Sequence, residues 1–141
     1  MAAARFNSDG SADTTFNATG QFTLQPGEGS SYASAVAAQP DGKLVIVGAS
    51  DRDGENGISR NIAVIRLNTD GSLDTSFATG GILLLPVGSY NSDARSVVVQ
   101  PDGKIVIAGI SDAGYGFGFG ADFLLMRLEA DGSLDTAFSE D

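Results

Sequence analysis

Cysteine, histidine and tryptophan are all absent from this chain, and lysine occurs only twice, as Lys43 and Lys104. Without cysteine there is neither a disulfide framework nor thiolate chemistry. Without histidine the commonest general base and the commonest transition-metal ligand are gone. Positive charge is scarce as well: eight Lys and Arg face eighteen Asp and Glu, for a formal charge of −10. Nucleic-acid binding needs clustered cations against phosphate, so it is not expected, and anionic membrane surfaces are disfavoured on the same ground. No apolar run approaches the roughly 18 residues needed to span a bilayer, so no membrane insertion is expected. The opening Met1–Arg5 has no hydrophobic signal region. The acidity itself reads as a device for solubility.

Glycine is abundant instead, at 19 of 141 residues. Spread among short apolar runs, it indicates many tight turns and an all-β chain. One phrase is written three times, 61 residues apart: Arg5-Phe-Asn-Ser-Asp-Gly-Ser-Ala-Asp-Thr-Thr-Phe16, Arg66-Leu-Asn-Thr-Asp-Gly-Ser-Leu-Asp-Thr-Ser-Phe77 and Arg127-Leu-Glu-Ala-Asp-Gly-Ser-Leu-Asp-Thr-Ala-Phe138. A second, Gln39-Pro-Asp-Gly-Lys43, recurs as Gln100-Pro-Asp-Gly-Lys104 at the same spacing. Such a period marks supersecondary units stacked on one another. Residues 1–141 therefore read as a single repeat domain, with repeat 1 at 5–65, repeat 2 at 66–126 and a partial repeat 3 at 127–138.

Each unit carries four apolar runs, in the second Ile82–Leu85, Ala94–Val99, Ile105–Ala108 and Phe123–Met126, the last continuing into Leu128. Their length and β-branched content predict strands. Gln-Pro-Asp-Gly-Lys predicts a hairpin, with proline presetting φ and Gly42 or Gly103 taking the left-handed position. Asn-x-Asp-Gly-Ser predicts a second turn. Two hairpins per unit make a four-stranded antiparallel sheet. The runs do not alternate apolar with polar, so such a sheet must be covered on both faces, as in the blades of a β-propeller.

The two phrases together resemble the delta-60 repeat, a bacterial propeller-like family, over essentially the whole chain. The resemblance implies blades in proteins that are often secreted or surface-associated, and it brings no biochemical activity with it. It is the ground for expecting an extracellular or cell-surface location.

An end unit normally carries a polar outer face. Here the second unit is at least as apolar as the first, with Leu83–Leu85 in place of Phe22–Leu24. Self-association follows: three or four chains head to tail, completing a ring of six or eight blades, or else a filament. Joining chains end to end supplies one copy of the Asp-Gly-Ser-x-Asp phrase too many. One end copy is then displaced, or a terminal segment adds as a strand to the neighbour's sheet.

Three features are candidate sites. Asp9 and Asp13, Asp70 and Asp74, and Asp131 and Asp135 space their oxygens like a calcium loop. The calcium-loop pattern wants Gly at position six, where Ala12, Leu73 and Leu134 stand, and Glu at twelve, met only by Glu140. The competing reading, side chains capping their own turn, is preferred. Arg5, Arg66 and Arg127 interrupt an apolar strand once per repeat and are expected to pair with Asp13, Asp74 and Asp135, the rival being a ring of arginines lining a channel. Tyr115, Phe117 and Phe119 form a Gly-aromatic loop that the first repeat lacks. It is suited to a subunit contact or to an external ligand such as a sugar.

No catalytic constellation can be named, so no enzyme and no resident cofactor is expected. The leading reading is a non-catalytic, self-assembling structural or interaction module. The alternative is an oligomeric propeller lectin binding glycans between blades, with Tyr32, Tyr90, Tyr115, Phe117 or Phe119 standing in for the missing tryptophan.

Overall fold

A computed structural model describes residues 1–54, 57–88, 91–112 and 121–139. They form nine strands: β1 (Ala2–Ala4), β2 (Gln21–Thr23), β3 (Ser31–Ala38), β4 (Leu44–Gly54), β5 (Gly57–Leu67), β6 (Ile82–Leu85), β7 (Ser92–Val99), β8 (Ile105–Asp112) and β9 (Ala121–Leu128). One 3-10 turn, Thr136–Ser139, follows, and no α-helix occurs among the described residues. None of their helices is long and apolar enough to cross a membrane. All pairings between strands are antiparallel, in a two-stranded sheet β1-β2, a four-stranded sheet β3-β4-β5-β6 and a three-stranded sheet β7-β8-β9.

The Gln-Pro-Asp-Gly-Lys hairpins form as expected. Gln39 N–H donates to the Lys43 carbonyl at 2.8 Å, Gly42 has φ of 84° and Gly103 φ of 87°. A shared irregularity precedes each hairpin turn. The register slips between Ala33 and Ala35 and again between Ala94 and Ser96. A Cβ on Gly48 or Gly109 would lie 2.0 or 2.1 Å from the opposing carbonyl of Tyr32 or Asp93. Glycine in the facing strand is what lets the bulged backbone approach so closely.

The four-stranded sheet does not coincide with a sequence unit. Its last strand, Ile82–Leu85, comes after the second Asp-Gly-Ser phrase and pairs with β5 of the preceding unit, Ile62 opposite Leu85 and Ile65 opposite Ile82. The expectation that β6 shares a sheet with Ala94–Val99 is corrected accordingly. The Asp-Gly-Ser turn closes a β5–β6 hairpin, and a hairpin pairs its own two arms.

Two cores lie on opposite faces of the β3–β6 sheet. One holds Val45, Val47, Ile62 and Val64 against Ala94, Val97, Ile105 and Ile107 of the β7–β9 sheet. The other holds Ile46, Ile65 and Leu67 against Phe16 and Phe22 of the N-terminal strands. Burial on both sides explains why β4 and β5 read as continuously apolar. The β7–β9 sheet is different: β8 alternates buried and half-buried positions, because described residues cover only one of its faces.

Candidate functional site

The Asp-Gly-Ser-x-Asp turn is a self-contained hydrogen-bonded unit, and its three copies share one wiring. Asp9 Oδ1 accepts from the Ser11 N–H at 2.9 Å and from its hydroxyl at 2.7 Å, with the same pattern at Asp70–Ser72 and Asp131–Ser133. The second aspartate has two tasks. Asp13 Oδ1 caps the Thr15 N–H and Oδ2 receives Arg5 Nε at 2.8 Å. Asp74 repeats this with Ser76 and Arg66 Nε at 2.6 Å, Asp135 with Ala137 and Arg127 Nε at 2.7 Å. Each guanidinium also lies over the ring that ends its phrase, at 4.8 Å from Phe16, 4.6 Å from Phe77 and 4.5 Å from Phe138. The arginines thus pair within their own turns, as anticipated.

For calcium, the fit is poor. The six aspartates have donors of their own, and no group of three or more acidic side chains placed to hold an ion occurs among the described residues. Glu140 and the aromatic candidates Tyr90, Tyr115, Phe117 and Phe119 lie outside the described residues.

Two partners of this unit escaped the sequence reading. Lys43 and Lys104 reach from their hairpins to the second aspartate, Nζ to Asp74 Oδ2 and to Asp135 Oδ2 both at 2.8 Å, and Lys104 also meets Glu129 at 2.8 Å. The signal was present: the only two lysines hold the same repeat position. Burial pushes the Asp74 carboxyl up, but Lys43, Ser76 and Arg66 outweigh it and hold the group well below the usual carboxylate range. Lys104, then Arg127, hold Asp135 down at about 2.

Each turn also docks on the next. Arg5 Nη1 donates to the Thr69 carbonyl at 2.6 Å and Asn17 N–H to the Asp70 carbonyl at 2.6 Å. The Phe16 ring lies so close to Gly71 that a Cβ there would come within 2.9 Å. One repeat on, Arg66 Nη1 donates to the Ala130 carbonyl, Ala78 N–H to the Asp131 carbonyl at 2.8 Å, and Phe77 packs on Gly132. Asn17 and Ala78 take left-handed backbone, φ 50° and 44°, to make these contacts. At the two extremes the series is open. Gly10 has nothing within 4 Å of its Cβ position, and no turn among the described residues receives Phe138.

A polar seam joins the two larger sheets at one rim. Tyr32 hydroxyl donates to Asp93 Oδ1 at 2.8 Å, and Arg60 Nη1 reaches the Tyr32 oxygen at 2.8 Å and Asp93 Oδ1 at 3.1 Å. Burial, then the Asp93 carboxylate, raises the Tyr32 hydroxyl above its ordinary pKa. Tyr32 and Asp93 occupy the same position in successive repeats. Nothing in the sequence marked Asp93 as part of a set.

The sheet faces complete the picture. Val106, Ala108, Phe123 and Leu125 are the repeat counterparts of Val45, Val47, Ile62 and Val64. The first-sheet residues are fully buried, whereas Phe123 is 77% exposed, Leu125 49%, and Val106 and Ala108 are half-buried. On the other side of the array, Val36 is 60% exposed where its counterpart Val97 is 9%. Beside Val36 runs a groove of about 420 Å3, lined by Ala3, Phe16, Ala33, Leu44 and Ile46 among others. These two surfaces repeat the two halves of the interface already made between β3–β6 and β7–β9.

Replacing Gly71 with alanine is expected to cost the left-handed φ, about 1 kcal/mol, plus about 1–3 kcal/mol of clash with Phe16. Gly10→Ala incurs the first cost alone. Urea unfolding of the two variants measures the difference, and equal losses would contradict the docking of Phe16 on this turn. The depressed carboxyls give a pH signature too. A group whose folded pKa lies below its unfolded value stabilises fully above that value, near 3.9, and loses its contribution as pH falls toward about 2. The melting temperature should therefore fall steeply between about pH 4 and 2, and less so in Lys104→Met, whose Asp135 is held down less. Scanning calorimetry checks both curves.

A family model for a domain of unknown function, DUF5122, described as a β-propeller, matches residues 2–16, 39–77 and 100–138. Each matched segment ends on the phenylalanine that closes a turn phrase. No curated protein and no solved structure matches the chain. The family match covers more than half of the sequence and rests on the strands and turns described above, so the chain belongs to the DUF5122 β-propeller family.

Proposed function

We propose that this protein is a non-catalytic interaction module whose blades associate head to tail with those of other copies. One observation carries the reading: Phe123 and Leu125 are exposed, and Val106 and Ala108 half-buried, at the positions that, one repeat earlier, form the buried contact between sheets. Burying one large apolar side chain is worth about 2 kcal/mol, and the same pairing geometry already exists inside the chain. Three or four chains at two blades each would give rings of six or eight. The family match describes a fold and names no activity. The resemblance to delta-60 repeats favours the cell exterior.

A second reading, a glycan-binding propeller, draws on the Tyr32–Arg60–Asp93 seam, where a 41%-exposed aromatic ring stands beside hydrogen-bonding groups. A glycan array separates the two, since silence on every sugar leaves the interaction module.

Light scattering at micromolar concentration should show discrete assemblies of three or four chains. Phe123→Glu with Leu125→Glu should reduce them to monomers that still unfold cooperatively. A wild-type protein that stays monomeric would overturn the reading.

A further inference from the structure

The two-stranded and three-stranded sheets are complementary parts of one blade. In β1–β2, Ala2 faces Thr23, Ala3 faces Phe22 and Ala4 faces Gln21. In β5–β6, Ala63 faces Leu84, Val64 faces Leu83 and Ile65 faces Ile82. Every residue of the first set sits 61 positions before its counterpart, so β1 and β2 are the third and fourth strands of a blade. The sheet β7-β8-β9 holds the first three strands, in the registers of β3-β4-β5, and β9 has no fourth strand among the described residues. Together the two parts make one blade in which only the third strand is present twice, as β1 and as β9.

We infer that β1 is a placeholder. When two copies meet, β9 of one copy takes the position of β1 in the other, and β2 of that other copy becomes the fourth strand of the completed sheet. This deepens the self-association reading and rests on it. β1 is the strand that yields, because it consists of three alanines paired at three positions. β9 is eight residues long and paired to β8 along its whole length.

The turn phrases exchange at little net cost. Arg127 and Phe138 replace Arg5 and Phe16, the same residue types with the same stacking, on the Thr69–Gly71 turn of the other copy. What is gained is cover for Phe123 and Leu125, and the groove beside Val36 fills with the incoming strands. Left-handed residues Asn17, Ala18 and Gly20 lie between the first turn and β2, where the chain has to swing. The exchanged register places Leu24 opposite Phe123, Thr23 opposite Leu124, Phe22 opposite Leu125 and Gln21 opposite Met126.

The chain has no cysteine, so engineered pairs report without background. Facing strand positions fall within disulfide reach. Oxidised Thr23→Cys/Leu124→Cys protein should run as covalently linked dimers and larger species on a non-reducing gel. Oxidised Ala2→Cys/Thr23→Cys protein, with β1 locked onto β2, should lose association by at least tenfold in light scattering and regain it on reduction. Association that survives the locked β1, or assemblies with no interchain Thr23→Cys/Leu124→Cys link, would overturn the exchange while leaving self-association standing. A wild-type protein monomeric at all concentrations would overturn both.

Discussion

The contact between one turn and the next is the constraint on which the rest of this fold depends. Arg66 shows why. Its guanidinium is nearly buried, so it needs a countercharge and further acceptors to be tolerable away from water. Asp74 supplies the first, Phe77 a π face, and the Ala130 carbonyl of the following turn the last. A buried cation that takes an acceptor from its neighbour ties the angle between two units to its own solvation. Phe16 on Gly71 and Phe77 on Gly132 set the spacing by shape. Lys43 draws the Gln-Pro-Asp-Gly-Lys hairpin to the same carboxylate, which brings both sequence phrases to one point.

From that point the sheets follow. A turn fixed to its successor orients β5 and β6, and the sheets on either side meet through apolar faces rather than edges. Strands β4 and β5 are buried on both faces, and the β7–β9 sheet on one. The asymmetry between Ile62, fully buried, and Phe123, largely exposed, comes from position in the array and not from residue chemistry. It is the observation from which the proposed association with other copies starts.

Much of this was legible in the sequence. The repeat spacing, the hairpins at Gly42 and Gly103, and the Arg5–Asp13, Arg66–Asp74 and Arg127–Asp135 pairs were all readable, because each is local or recurs within a short phrase. The phase of the blades was not. A periodic pattern looks the same wherever its unit is cut, so only strand pairing reveals that Ile82–Leu85 closes the preceding sheet. The Tyr32–Asp93–Arg60 seam was hidden for a related reason: a contact between equivalent positions of successive repeats leaves no mark in either copy alone. Continuous apolar runs implied covered faces throughout. That held for β4 and β5, and Val36 and Leu125 show where a covering neighbour is lacking among the described residues.

The docking of successive turns can be observed directly by amide hydrogen exchange. Ala78 donates to the Asp131 carbonyl, and it sits in irregular chain where an undocked amide would exchange quickly. The account predicts that this amide is protected to the level of the β4 and β5 core. Exchange at the rate of an open loop, with the core still protected, would show that the turns do not hold one another and would contradict it.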